Sequence, residues 1–316
     1  MVIATHGRAF WVLDNIAPLR QMTAEMLAGT ERRAAQLFAP AAAVRRVYSA
    51  HLDYYLGAPA DSVWLDILGP GGRLVRSLAA DGRRPGMHRA TWDLRYTGAT
   101  VFPGIVLEGG DPRRGMWAPP GRYMVRLTAR GPTGVVTESC ELVVKKDPRL
   151  SDVTDADLRA QFALAEQIRD KESAANEAVI QIGALRQQLR TRLGRDTLGM
   201  ARGMIERIAE SGTLLERGIA AVEQEIYQVK NQSPKDKIAF PIRLNDRLTG
   251  LRTSLESGDE RPTAAQQRIF LELSQELDVQ LGRLKRTLGR DLSRLNDALR
   301  AAGLAPIVAP GRATVS

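Results

Sequence analysis

Apolar positions along this chain follow two different periods, and the change falls near residue 150. Before it, short runs alternate apolar with polar, the two-residue period of a strand with one buried face. Residues 62–68, Ser-Val-Trp-Leu-Asp-Ile-Leu, set Val63, Leu65 and Ile67 against Trp64, Asp66 and Leu68. Gly-Pro-Gly-Gly at 69–72 is turn chemistry and 73–78 returns, so the pattern predicts a hairpin over 62–78. Further strands are expected at 86–95, 119–130 and 134–146, the last two joined across Gly131-Pro132-Thr133-Gly134. Trp92 and Leu94 offer large core area from one of them. Tyr123, Val125 and Leu127 share one face of another. Two short apolar runs at 2–13, around Thr5-His6-Gly7-Arg8, predict one more hairpin. A lone hairpin is marginal in water and no partner strands follow directly, so its sheet is expected to lie elsewhere.

After residue 150 the period becomes helical. In 201–229 the positions Ala201, Ile205, Ile208, Gly212, Leu215, Ile219, Val222, Ile226 and Val229 alternate steps of four and three, a heptad repeat. Phe270 begins a second stripe that runs through Leu273, Leu277, Leu281, Leu284, Leu288, Leu292 and Leu295 to Leu299. A weaker stripe runs over 155–193, from Leu158 to Leu193, and a short one over 242–256 through Leu244, Leu248, Leu251 and Leu255. Breaks are expected at Gly194–Gly199, Asn231–Pro241 and Ser257–Pro262. Three long helices and a short one with brief loops imply an antiparallel bundle over 151–303, followed by a flexible tail at 304–316. Pro148 stops the preceding strand, and Ser151 or Thr154 can cap the first helix, with Asp155 and Asp157 near its positive end. Residues 21–45, Ala-rich with a short helix near Thr23 and with Pro40, read as a linker.

Between Tyr96 and Pro119 lies an insert rich in glycine yet apolar, carrying Val101, Phe102, Ile105, Val106, Leu107 and Trp117. Such a loop either packs against a neighbouring domain or forms part of a binding surface. Phe102 and Trp117 are the candidate ligand or interdomain contacts.

Composition narrows the chemistry. The net charge of +9 invites a nucleic-acid reading, but its distribution argues against one. Residues 1–150 hold 20 basic and 13 acidic side chains, whereas 151–316 hold 25 and 23. The excess comes as isolated pairs such as Arg45-Arg46 and Arg83-Arg84, mostly in turn-like segments. The single cysteine, Cys140, excludes an internal disulfide and reads as a buried strand residue. His6, His51 and His88 are too scattered for a metal site and read as surface or turn residues. No apolar stretch reaches membrane-span length, and the first residues show no secretory signal. There is no phosphate loop, no Gly-x-Ser-x-Gly elbow and no paired-histidine helix, so no cofactor is expected. Acidic pairs such as Glu223/Glu225 fit solvated faces.

Two resemblances add to this reading. Thr5, His6, Gly7, Arg8, Phe10, Trp11, Leu13, Asp14, Pro18, Leu19 and Arg20 resemble the closing stretch of the bacterial sortilin-like, BNR-repeat β-propeller proteins, often labelled glycosyl hydrolases. That makes 1–20 the remnant of a last propeller blade, with Asp14 a turn residue. The Pro-Gly-Met-His-Arg-Ala-Thr-Trp-Asp-Leu-Arg and Pro-Pro-Gly-Arg-Tyr-Met-Val-Arg-Leu-Thr-Ala strands within 46–147 resemble the immunoglobulin-like domain of the flagellar hook-capping family. The expected fold is therefore multidomain β + α: an immunoglobulin-like β-sandwich, then an antiparallel long-helix bundle, with a propeller strand remnant in front. What the resemblance implies is a non-catalytic accessory or scaffold region of a secreted or periplasmic parent protein. Its partner would be the upstream propeller or another envelope protein, with self-association left open. The alternative is the tail of a propeller glycoside hydrolase, with Phe102 and Trp117 stacking on sugars.

Overall fold

Alternation and heptad spacing act on different stretches of this chain, and the resulting β + α fold divides into two units. The computed structural model describes residues 2–4, 6–7, 10–12, 15–28, 33–132, 134–195 and 201–310. One unit comprises residues 1–97 and 116–162, the other 98–115 and 163–316. The chain passes from one to the other at 97/98, 115/116 and 162/163. Of the expected features, Thr5, Arg8, Leu13, Asp14, Thr133, part of Gly194–Gly199 and residues 311–316 lie outside the described residues.

The β unit opens with β1 (Val2–Ala4) and β2 (Phe10–Val12), which pair with each other as a two-stranded sheet. A short helix follows, α1 (Ala24–Leu27), capped by the Thr23 hydroxyl. Eight further strands are β3 (Ala35–Leu37), β4 (Ala43–Val44), β5 (Ala50–Leu56), β6 (Ser62–Leu68), β7 (Leu74–Ala79), β8 (Gly86–Trp92), β9 (Gly121–Gly131) and β10 (Gly134–Lys145). They form a five-stranded sheet of order β4-β10-β9-β6-β7 and a three-stranded sheet of order β3-β5-β8. The hairpins β6–β7 and β9–β10 stand where the alternation predicts them. The sheets meet through their apolar faces. Val63, Leu65, Ile67, Tyr123, Val125 and Leu127 are buried from one, and Leu52, Tyr54, Leu56 and Trp92 from the other. Trp92 meets Tyr123 edge-on with ring centroids 5.4 Å apart, a geometry worth about 1 kcal/mol beyond the buried area. Their polar ends are also satisfied: Trp92 Nε1 donates to the Arg95 carbonyl and the Tyr123 hydroxyl to that of Pro119, both at 2.8 Å.

Several features differ from the sequence expectation. The 21–45 linker contains strands: β3 pairs antiparallel with β5 and β4 pairs parallel with β10. Strands of three and two residues are too short to show a period. The strand expected over 86–95 stops at Trp92 because Leu94 adopts φ +59°, rare for a residue with a branched side chain. The kink keeps Leu94 in the core while turning the chain away, with Asp93 Oδ1 accepting from the Arg95 amide. Arg45 is not a surface turn residue; it is buried and donates to Gln161 Oε1 at 2.8 Å. Cys140 lies on β10 as expected but is only half-buried, with burial pushing its thiol up to about 11. His6 and His51 are exposed, while His88 stacks on Tyr54 at 5.2 Å.

The helical stretch begins with α2 (Asp155–Arg195), whose Thr154 hydroxyl accepts from the Asp157 amide while the Asp157 carboxylate accepts from the Thr154 amide. Its first turns, to Phe162, group with the β unit, where Phe162 meets Tyr96 at 4.5 Å. The helical unit adds α3 (Arg202–Ile226), α4 (Leu244–Leu255), α5 (Ala264–Thr287) and α6 (Ser293–Ala301), with a π turn at Leu288–Leu292 joining the last two. The heptad face of α3 packs on α5 and α6, and Ile208, Leu215, Ile219, Val222 and Ile226 are buried there. Leu273, Leu277, Leu284, Leu292, Leu295 and Leu299 close that core from the other side. The ends of the stripe leave it: Ala201 and Val229 are exposed. The expected flexible tail is tied down over 304–310: Ile307 is buried, its amide and carbonyl pair with the Asn296 side chain, and Gln188 holds both backbone groups of Val308.

Strand pairing yields a prediction. Removing residues 1–14 takes away β1 and β2, which pair with each other, so far-ultraviolet circular dichroism per residue and melting temperature are expected to stay close to those of the full chain. Removing 1–45 strips β3 and β4 from two sheet edges, and a loss of the cooperative melt is expected. A cooperative melt at the full-chain temperature after the longer cut contradicts the pairing.

Candidate functional site

Helix α4 is short and its leucines follow one stripe, yet its other face is also buried. Asn245, Asp246, Thr249 and Arg252 are nearly inaccessible. Polar side chains reach that state only with partners, and here the partners are in α2 and in the insert segment 98–115, which belongs to the helical unit. Glu172 of α2, fully buried, faces Arg252: both carboxylate oxygens accept from Nε at 3.0 and 3.1 Å. The remaining Arg252 donors reach the carbonyls of Arg114 at 2.6 Å and Asp111 at 3.4 Å, and Glu256 at 3.4 Å. Asp246 receives the amides of Glu108 and Gly109 at 3.0 and 2.6 Å, one on each oxygen. Asn176 donates to the Thr100 carbonyl at 2.8 Å and accepts from Asn245 at 3.1 Å, while the Thr100 amide donates to Ser173.

Gly109 and Gly110 permit this approach. A Cβ on Gly109 would lie 2.6 Å from the Asp246 carbonyl oxygen and the Gly250 nitrogen, and Gly110 has φ +143°. Glycine is the residue whose backbone can come that close to a helix. The glycines noted in the insert were thus the visible trace of the contact; the helix residues that receive it left no trace in a leucine stripe.

Burial dominates the electrostatics. Desolvation pushes the Glu172 carboxyl up to about 7, with Arg252 pulling it back toward the charged form. The Tyr227 phenol is also raised by burial. This tyrosine, just past α3, accepts from the Val106 amide at 3.3 Å and meets Phe102 edge-on at 5.0 Å.

The structure places the two candidate aromatics in different units. Phe102 lines an open groove of about 680 Å³ in the helical unit, with Val179, Ile180, Ala220, Tyr227 and Val229. Ile180 and Val229 are exposed there, and Arg186 bridges Glu223 at 2.8 Å and Glu216 at 2.9 Å. Glu223, expected on a solvated face, is one of these paired acids and is nearly buried. Trp117 belongs to the β unit, where the Arg95 guanidinium lies 3.9 Å and that of Arg46 5.2 Å from its ring centroid. Among the described residues no cluster of three potential metal ligands occurs, and no helix is long and apolar enough to cross a membrane.

No family model matches this chain, and no curated protein matches it. Solved structures give partial likenesses at 16% identity. An engineered protein matches 35% of this chain and 20% of its own length, with a TM-score of 0.23. CopC from Methylosinus trichosporium OB3b matches 35% of this chain and 94% of its own, with a TM-score of 0.23. An endo-beta-1,4-mannanase double mutant of Cellulomonas fimi matches 34% and 17%, with a TM-score of 0.21. This chain spans about a fifth of the first of these, and scores this low transfer no function.

Two predictions follow from the buried polar face. Asp246→Ala leaves the Glu108 and Gly109 amides without their acceptor, at ~1–3 kcal/mol each if water cannot replace it. Hydrogen exchange at those two amides is expected to speed up at least about tenfold, with a smaller change in Asp246→Asn, which retains one acceptor oxygen. Unchanged exchange in both variants removes Asp246 from the tether.

Glu172 gives a pH dependence. Its carboxyl keeps its proton to a higher pH when folded than when unfolded, so between about 4.5 and 7 the folded state binds more protons. The stability from this group is fully present below that window and is lost as pH rises through it. Urea midpoints of the wild type relative to Glu172→Gln, which does not titrate, are expected to fall from pH 4.5 to 7. A flat difference across that range rejects the raised carboxyl.

Proposed function

We propose that this chain is a non-catalytic accessory and scaffold region of a bacterial sortilin-like, BNR-repeat β-propeller protein, acting in domain–domain or protein–protein contacts. In this reading the two packed sheets are an immunoglobulin-like sandwich and the helices an antiparallel bundle. The observation that carries it is the use made of the buried ionisable groups. Catalysis by side chains needs an acid, base or nucleophile free to meet substrate. Glu172, Arg252 and Asp246 instead have their oxygens and nitrogens directed at one another and at the backbone of 98–115. Their chemistry is consumed in holding a segment that leaves the sheets between β8 and β9.

The parent context is testable directly. The reading frame immediately upstream of Met1 in the source DNA is expected to continue into propeller blades and to begin with a signal peptide, placing the parent outside the cytoplasm. An upstream frame encoding no blades overturns the propeller assignment.

The carbohydrate reading retains one supporting observation, the open groove beside Phe102. Incubating the purified chain with β-glucan oligosaccharides separates the two. No hydrolysis and no binding are expected; turnover overturns the non-catalytic reading. Binding without turnover, lost in Phe102→Ala, replaces the protein-contact role with an accessory sugar-binding one.

A further inference from the structure

We infer that a hollow between α3 and the junction of α5 with α6 binds a small, multiply charged phosphate-bearing anion. The hollow holds about 490 Å³ and is lined by Arg283, Arg286, Arg290 and Thr287, with Gly218 and Gly289 among the remaining lining residues. All of it lies in the helical unit. That volume falls in the range of roughly 300–1,000 Å³ typical of small-molecule sites. None of its described lining residues is acidic.

Three guanidiniums in one hollow repel one another unless something neutralises them. Asp291 engages only Arg290, through contacts of 2.7 and 3.1 Å. Arg283 reaches the neutral Gln280 at 3.4 Å, and Arg286 has no hydrogen-bond or ion-pair partner among the described residues. Basic residues are commonly placed at a helix C-terminus to offset its dipole. That explanation fails here, because the helix does not end: the π turn at Leu288–Leu292 carries it straight into α6. π turns also concentrate at functional sites.

The balanced charge of the helical half conceals this concentration. Residues 283–300 hold six basic and two acidic side chains, while the rest of 151–316 holds 19 and 21. The ligand class follows from the donors. A guanidinium offers a planar fork that fits two oxygens of a phosphoryl group, and the Thr287 hydroxyl supplies a further donor.

The test is calorimetric titration of the full chain with inorganic pyrophosphate at about 50 mM salt, where phosphate contacts are strong. Saturable binding is expected, with affinity falling at least about tenfold in Arg286→Ala and only a few-fold in Arg286→Lys, which keeps charge and loses the fork. Arg122→Ala, at an exposed arginine of the β unit, is expected to bind like wild type. Circular dichroism of each variant controls for folding. Absence of saturable heat overturns the site. So does equal weakening by Arg122→Ala, which marks generic attraction. Equal affinity for citrate overturns the phosphate class while leaving an anion site.

Discussion

A guanidinium and a carboxylate sealed together inside the helical unit constrain what surrounds them. Arg252 and Glu172 are each at most 3% exposed, and charges so far from water are tolerated only when every donor and acceptor is met. Glu172 takes the Nε of Arg252, and the other nitrogens need oxygens beyond the one that Glu256 offers at 3.4 Å. The carbonyls of Asp111 and Arg114 supply them. The segment 98–115 of the insert is therefore a component of the helical unit's interior. Removing one member of such a pair typically costs about 3–5 kcal/mol, because the other is left charged and unmatched. Asp246, Asn176 and Ser173 extend the same logic along the segment, converting an irregular backbone into a hydrogen-bonded one.

The β unit depends on packing. Its two sheets are held by buried apolar side chains, and the largest of them, Trp92, sits at a point where the chain must turn. A left-handed Leu94 costs conformational energy, of order 1 kcal/mol. What offsets it is local: Leu94 is buried, its carbonyl accepts from Ala118 at 2.7 Å, and Tyr96 donates to Met116 at 2.9 Å. Both ends of the departing segment are thereby anchored to the β unit on either side of 98–115, and the Arg95–Trp117 stack stands at that anchor. Trp117 is thus part of the closure of the strand ends, which accounts for an aromatic residue in a glycine-rich stretch.

Periodicity made much of this legible. The hairpins at 62–78 and 119–146 and the stripes of α3, α4 and α5 could be read because one face of each is apolar at a regular interval. What escaped was of two kinds. β3, β4 and the anchored stretch 304–310 have too few residues to establish a period, and their pairing is decided by partners far along the chain. The polar face of α4 escaped for a different reason. Asn245, Asp246, Thr249 and Arg252 lie opposite the leucines, where a solvated face is the ordinary expectation, and sequence cannot distinguish a polar face in water from one buried against backbone. Gly109 and Gly110 were the available clue, since consecutive glycines in an otherwise apolar loop signal close approach of main chains.

A strongly shifted carboxyl is often taken to mark an active site, because catalysis needs such groups. Glu172 shows how the inference inverts. Its shift comes from burial, and burial is what denies it a substrate; its environment is full of partners within the chain. The arginines of the α5–α6 junction are the opposite case. They are exposed, and as arginines they stay charged under ordinary conditions, yet Arg286 lacks a counter-charge among the described residues. Where buried charges such as Glu172 and Arg252 are matched to each other, the informative residues for an external ligand are those that are accessible and unmatched. That criterion selects the basic hollow over the buried pair, and it selects it without appeal to any resemblance.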